Sequence, residues 1–202
     1  MVLDKSPKWV LDNNWIQIQK EFEDNLPSIV LCSETFHKIE FLNGLINSFE
    51  EHIIFVDMNL LYTGYVESGM IQQKDNVTIF NPNKVDWTEK VATICTKISK
   101  EKFVVIIDSF NGIYNMFNDL ESSIFINSCI MLFSSLGRQT RSSVVITAMA
   151  RKKEDDEWIL SPGGRHIIKS EKTGIYFLKK IKNNLVLTSF NDTDSKGIKI
   201  KE

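Results

Sequence analysis

A lysine placed for phosphate and an aspartate placed for metal are the first groups in this chain whose types and spacing could do chemistry. The segment Cys32-Ser33-Glu34-Thr35-Phe36-His37-Lys38-Ile39 follows an apolar run and precedes a helical pattern, where a phosphate-binding loop would sit. Such a loop needs glycines so that backbone N–H groups can close around phosphate oxygens. It also needs a Lys for the β/γ-phosphates and a Ser or Thr for Mg²⁺. Lys38 stands at the Lys position, but Cys32 and His37 occupy the glycine positions and Ile39 the Ser/Thr position. Side chains fill the space that phosphates need, and Glu34 adds repulsion. Asp108 ends the apolar run FVVIID, the form of strand that presents an acid to a bound metal. Two roles stay open for it: a remnant of a metal site, or a cap on the turn at Ser109 to Asn111.

A second group could hold nucleic acid. Arg151, Lys152 and Lys153 open a charged loop that runs to Trp158, and Arg165, Lys169 and Lys172 follow. Cations grip phosphates, and an indole stacks on a base. The intervening Glu154, Asp155, Asp156 and Glu157 would repel the same ligand, and such a run is equally what a solvated loop carries. Arg138 and Arg141, at the end of a long helical pattern, read as favourable charge near a helix C-terminus. His37, His52 and His166 are scattered without ligand spacing, so neither a metal site nor a cofactor is expected.

The elements that must position these groups are legible as apolar runs. SIVLCS (28–33), HIIFVD (52–57), FVVIID (103–108) and SVVITA (143–148) are short, β-branched and continuous. They predict parallel strands covered on both faces. Phe36, Ile39, Leu42, Leu45, Ile46 and Phe49 form one helical stripe, and Val91, Ile94, Cys95 and Ile98 another. Residues 120–136 are apolar almost all round, which predicts a deeply packed helix. TGIYFLKKI (173–181) and NLVLTSF (184–190), separated by Lys182-Asn183, predict a hairpin, and GIKIK (197–201) a last strand. Residues 59–76 read as a loop carrying Leu60, Leu61, Tyr62 and Tyr65, which either pack beneath the domain or face a partner. The expected fold is α/β, with a mainly parallel central sheet, flanking helices and a C-terminal antiparallel extension.

Composition is compatible with this. The chain has 202 residues, 43% of them hydrophobic and 25% charged, too apolar for disorder. A net charge of -2 excludes a surface that is basic throughout, but leaves room for a local basic patch. Cys32, Cys95 and Cys129 show no CxxC spacing and each sits in an apolar run, as reduced core thiols do. No stretch is long and apolar enough for a bilayer, and the N-terminus lacks a signal-peptide core, so a cytoplasmic protein (nuclear in a eukaryote) is expected. Residues 1–27 carry Trp9, Val10, Leu11, Trp15 and Ile16, a segment expected to pack on a core domain spanning 28–202.

Taken in order, these pieces resemble the core ATPase domain of the RecA/RadA recombinase family. The resemblance rests on the altered phosphate loop, Val56-Asp57, the strand ending in Asp108, Val144 to Thr147, and the tail. In the tail, Pro162-Gly163-Gly164 followed by Thr173-Gly174-Ile175-Tyr176-Phe177 is similar to the family's turn and its Thr-Arg-Leu-Tyr-Leu strand. The resemblance implies a RecA-like fold and places the DNA-binding loop at Arg151 to Leu160. It also implies two losses. Asn59 stands where the family has its catalytic Glu, and Met149 where it has the Gln that senses the γ-phosphate. The expectation is therefore a non-catalytic paralogue, a pseudo-ATPase that assists homologous recombination and DNA repair. Its implied partners are a recombinase or another RecA-like protein in a homo- or hetero-oligomer, with single-stranded DNA as a further ligand. Two rivals stand beside it. One is a RecA/KaiC-type ATPase in which Lys38 and Asp108 still hold ATP, and the other a scaffold or regulatory subunit with no DNA role.

Overall fold

The computed structural model describes residues 8–10, 14–117, 120–152, 158–160, 170–182, 184–189 and 196–200. The chain opens with β1 (Lys8–Val10) and α1 (Asn14–Asp24), then β2 (Ser28–Cys32), α2 (Thr35–Ser48) and β3 (His52–Asp57). Next come α3 (Leu61–Glu67), β4 (Val77–Phe80), α4 (Trp87–Ile98) and β5 (Phe103–Asp108). After them follow α5 (Phe110–Phe117), α6 (Leu120–Thr140) and β6 (Ser143–Lys152). The tail contains β7 (Trp158–Leu160), β8 (Gly174–Ile181), β9 (Asn184–Ser189) and β10 (Lys196–Ile200).

The sheet runs β1-β10-β9-β8-β2-β6-β5-β3-β4, with β7 paired to β6 off that line. Strands β8, β2, β6, β5, β3 and β4 are mutually parallel; β9 and β10 return antiparallel, and β1 lies parallel to β10. The predicted parallel sheet and antiparallel extension are both present. Alternating residues of each central strand feed two cores. Val30, Ile53, Phe55, Val104, Ile106 and Val145 pack beneath α1, α2 and α3. Ile54, Val56, Val105, Ile107, Val144 and Ile146 pack beneath α4, α5 and α6. Burial on both faces is why these strands read as unbroken apolar runs.

The N-terminal helix is part of the first core. Ile18 and Phe22 of α1 are fully buried, and the Phe22 ring meets Tyr176 edge-on with centroids 5.3 Å apart. Gly44 of α2 lets the two helices approach closely: a Cβ there would lie 2.4 Å from the Trp15 ring.

Two expectations are corrected. Residues 59–76 are no loop; they hold α3, in which Tyr62 is buried against Phe55 at 4.5 Å between centroids, while Leu60 is exposed. Nor is α6 packed all round, since Ile124, Phe125 and Leu132 face outward. The apolar pattern is real, but the sheet covers only one side of that helix. α6 ends at Arg141 (φ 57°), where the Ser142 N–H closes on the Gly137 carbonyl at 2.8 Å. Arg138 does more than offset the helix dipole: its Nη2 donates to the Leu26 carbonyl at 3.0 Å, beside the start of β2.

Candidate functional site: a closed ion pair at the carboxyl edge of the sheet

Functional groups of an open parallel sheet gather beyond the carboxyl ends of its strands. Here Cys32 of β2, Met149 of β6, Asp108 of β5 and Asp57 of β3 share that edge, with Cys32 in register with Met149 and Asp57 with Asp108. Only Ser33 and Glu34 separate β2 from α2, and the first helical turn already contains Thr35 to Lys38. The Lys38 N–H donates to the Glu34 carbonyl at 3.1 Å, a helical bond. A phosphate cradle requires several N–H groups converging from a non-helical loop. Two connecting residues leave no chain to form one.

The Lys38 side chain turns inward. It is 2% exposed, and its Nζ lies 2.6 Å from Oδ1 of Asp108, which is 0% exposed. Thr147 Oγ1 donates to the same Oδ1 at 2.5 Å. Asp108 Oδ2 is buried with no hydrogen-bond partner among the described residues. Asp108 therefore does not cap the following turn. Ser109 does, through its carbonyl to the Ile113 N–H at 3.2 Å and its hydroxyl to the Gly112 N–H at 3.4 Å.

The residues of a magnesium–nucleotide site do not fit here. The phosphate-directed amine is consumed by the metal-directed acid, Cys32 and Ile39 are buried apolar groups, and the cradle is a helical turn. Among the described residues no three His, Cys, Asp or Glu side chains converge as metal ligands. No nucleotide-dependent step is derived for this edge.

The neighbouring acid is also engaged. Asp57 Oδ2 accepts the backbone N–H and the hydroxyl of Thr63, both at 2.8 Å, and its Oδ1 accepts the Asn59 N–H at 3.3 Å. Asp57 thus anchors the start of α3. Asn59, at the position of the family's catalytic Glu, donates from Nδ2 to Ser109 Oγ at 3.2 Å. Gly112 allows this contact: a Cβ there would come within 2.5 Å of the Met58 Cβ. Asn111 grips the backbone of Met149 at both ends, accepting its N–H at 2.7 Å and donating to its carbonyl at 3.3 Å. Of these partners, sequence reasoning singled out none but Asn59 and Met149. The signal available was that Asp57, like Asp108, closes an apolar strand.

Beyond Met149, β6 continues into a ladder with β7, pairing Ala150 with Leu160, Arg151 with Ile159 and Lys152 with Trp158. The structure therefore brings Arg151, Lys152 and Trp158 to one hairpin, and Arg151 is exposed. Lys153, Arg165, Lys169 and Pro162-Gly163-Gly164 lie outside the described residues. Lys172 is exposed but is not brought to the hairpin. Gly174 is in register with Ser28, and Val145 with Ser28 on the other side, so Lys172 sits at the amino end of the parallel strands. Arg151 lies six residues beyond Val145, roughly 20 Å along the strand.

Burial pushes the Cys32 thiol up to about 12; Lys38 opposes the rise and Asp108 adds to it. Cys129 is likewise raised by burial, to about 11. At pH 8 a disulfide reagent should label half-buried Cys95 first, because a protonated, buried thiol is not a nucleophile. Peptide mapping after timed labelling checks this. Cys32 reacting as fast as Cys95 would mean that the edge is open.

No protein-family model matches this chain, and no curated protein does. Solved structures do. The chain is similar to a crystallised ATPase domain, with 11% identity, a TM-score of 0.61, and 98% of this chain and 89% of that one covered. It is similar to a DnaB-like replicative helicase, described with its interactions with primase, at 10% identity and a TM-score of 0.58. That match covers 98% of this chain and 63% of the helicase chain. It is also similar to the RadB recombinase, at 13% identity and a TM-score of 0.51, covering 88% of this chain and 93% of that one. The fold is RecA-like.

Proposed function

We propose that the chain is a non-catalytic RecA-like module that assists homologous recombination and DNA repair through a partner protein. The partner is a recombinase or another RecA-like protein, and the β6–β7 hairpin adds contact with single-stranded DNA. The observation that carries this reading is the buried Lys38–Asp108 pair. It satisfies internally the two charges that a RecA-like ATPase would turn toward phosphate and magnesium. Asn59 and Met149, in place of base and sensor, point the same way. The neighbours' names, a replicative helicase described with primase and a recombinase, lend support to DNA-related partners. Phe36 and Leu60 stand exposed at the carboxyl edge, after β2 and β3, and offer such a partner an apolar foothold.

Two assays test this. A coupled ATPase assay is expected to show no turnover above background, with or without single strands. Fluorescence anisotropy on labelled single strands is expected to show weak, sequence-tolerant binding that falls steeply with salt. Replacing Arg151, Lys152 and Lys153 together by Ala should flatten the salt slope by roughly 0.7 per lost phosphate contact. Turnover abolished by Lys38→Ala would favour the ATPase reading. Identical salt curves for wild type and triple variant, with and without a recombinase, would remove the DNA role and favour the scaffold.

A further inference from the structure

The outward face of α6 differs from every other solvent-facing helix stripe described. α1 turns Lys20 and Asp24 to solvent, and α4 turns Glu89 and Lys97. α6 has no charged residue from Ser122 to Gly137. Its inner side, with Ile126, Cys129, Ile130, Phe133 and Gly137, is buried. Its outer side presents Ile124 at 67%, Phe125 at 42% and Leu132 at 46% exposure. Ser128 and Ser135 are exposed between and beyond them, and Met131 is half-buried. Four turns of uncharged helix surface are not what a monomer leaves in water. Phe125 is also held in place: its ring meets Phe117 edge-on at 6.2 Å, and Phe117 meets Trp87 at 6.1 Å.

The order of residues on this face reads the same in both directions from Ser128. Four residues before it stands Ile124 and four after it Leu132; three before stands Phe125 and three after Met131. An antiparallel crossing about a two-fold axis at Ser128 would set Ile124 against the copy's Leu132, and Phe125 against the copy's Met131. A self-complementary patch is what an isologous dimer requires. Ile124, Ser128 and Leu132 form one i, i+4, i+8 ridge, the kind that packs into the matching groove of another helix, and the small Ser128 at the crossing lets the backbones approach. The missing charge bears on the occupant too. Two identical faces meet here without like-charge repulsion, whereas an acidic or nucleic-acid partner would find no cation before Arg138.

The geometry points to the outer face of α6 as the docking surface for a second copy of this chain, the two helices crossing antiparallel at Ser128. The inference is independent of the proposed function, because this face lies on α6 and not at the carboxyl edge. The apolar row is short against the roughly 800 Å² per partner of a standard interface, so the dimer is weak, with a dissociation constant on the order of micromolar.

Sedimentation velocity of the full chain over about 1–200 μM, a range that brackets that affinity, is the test. A monomer–dimer equilibrium is expected. Leu132→Glu and, separately, Ile124→Lys should each weaken it at least tenfold while melting like the wild type. Ser128→Cys, oxidised at a concentration where the dimer is populated, should give a disulfide joining the two copies at position 128, identified by peptide mass. Ser135→Cys, which the axis carries away from its counterpart, should not cross-link. A chain that stays monomeric throughout would overturn the proposal and leave the face to a different protein. A dimer that survives both charge variants, or Ser135→Cys cross-linking as readily as Ser128→Cys, would overturn it as well.

Discussion

Lys38→Met is expected to destabilise the chain by about 3–5 kcal/mol, because it leaves the Asp108 carboxylate buried and uncompensated. For a chain of this size, that is a fall in melting temperature of roughly 6–20 °C. Asp108→Leu alone should cost a similar amount, now by stranding the ammonium of Lys38, whose side chain is only 2% exposed. The double variant, Lys38→Met with Asp108→Leu, should recover most of the loss. Two apolar side chains of similar volume replace the pair, and only the Thr147 hydroxyl is left without its acceptor. Urea denaturation of the four proteins closes the cycle. If Lys38 instead reached into an open, solvated cleft, each single change would cost under about 1 kcal/mol and the two would simply add.

Phe22→Ala should cost about 3–5 kcal/mol, as truncation of a fully buried aromatic ring does. Phe22 is 0% exposed and joins α1 to Tyr176 of β8, so the cavity would open beneath the sheet and not at its rim. The Tyr176 hydroxyl, which lies 3.3 Å from Glu21 Oε2 and accepts from Asn25 Nδ2 at 3.2 Å, would lose the packing that holds it there. Thermal denaturation followed in the near ultraviolet measures this. A loss under about 1 kcal/mol would mean that α1 is an attached arm and not part of the core.

The strands at the centre of the sheet were legible because both their faces are buried. HIIFVD and FVVIID carry no polar residue that could be mistaken for a solvent face, and each ends at the residue that closes its strand. β4 was not legible. It is four residues long, lies at the sheet edge, and its Thr78 is exposed, so its pattern is too short to rise above the surrounding loop. α3 escaped for a different reason. Its start is set by the Asp57 carboxylate reaching Thr63, six residues on, and its first turn follows Leu60 in the left-handed region at φ 56°. Neither is a local capping signal. The outward side of α6 was missed because apolarity all round a helix predicts burial, and sequence does not say how much of a helix the sheet will cover.

At the carboxyl edge, sequence named the right two residues without their relation. Lys38 and Asp108 are 70 positions apart, and nothing in either segment shows that the amine closes on the acid. The altered loop did show that phosphate would be poorly held. The structure adds the physical reason: α2 begins two residues after β2, which draws Lys38 into the core.

Isothermal titration with Mg-ATP tests the closed edge most directly. With Lys38 held by Asp108 and no loop to receive phosphates, the wild type and Lys38→Ala should give the same featureless titration. Sub-micromolar binding by the wild type that disappears in Lys38→Ala would contradict the account, since it would require Lys38 to leave Asp108 for the nucleotide.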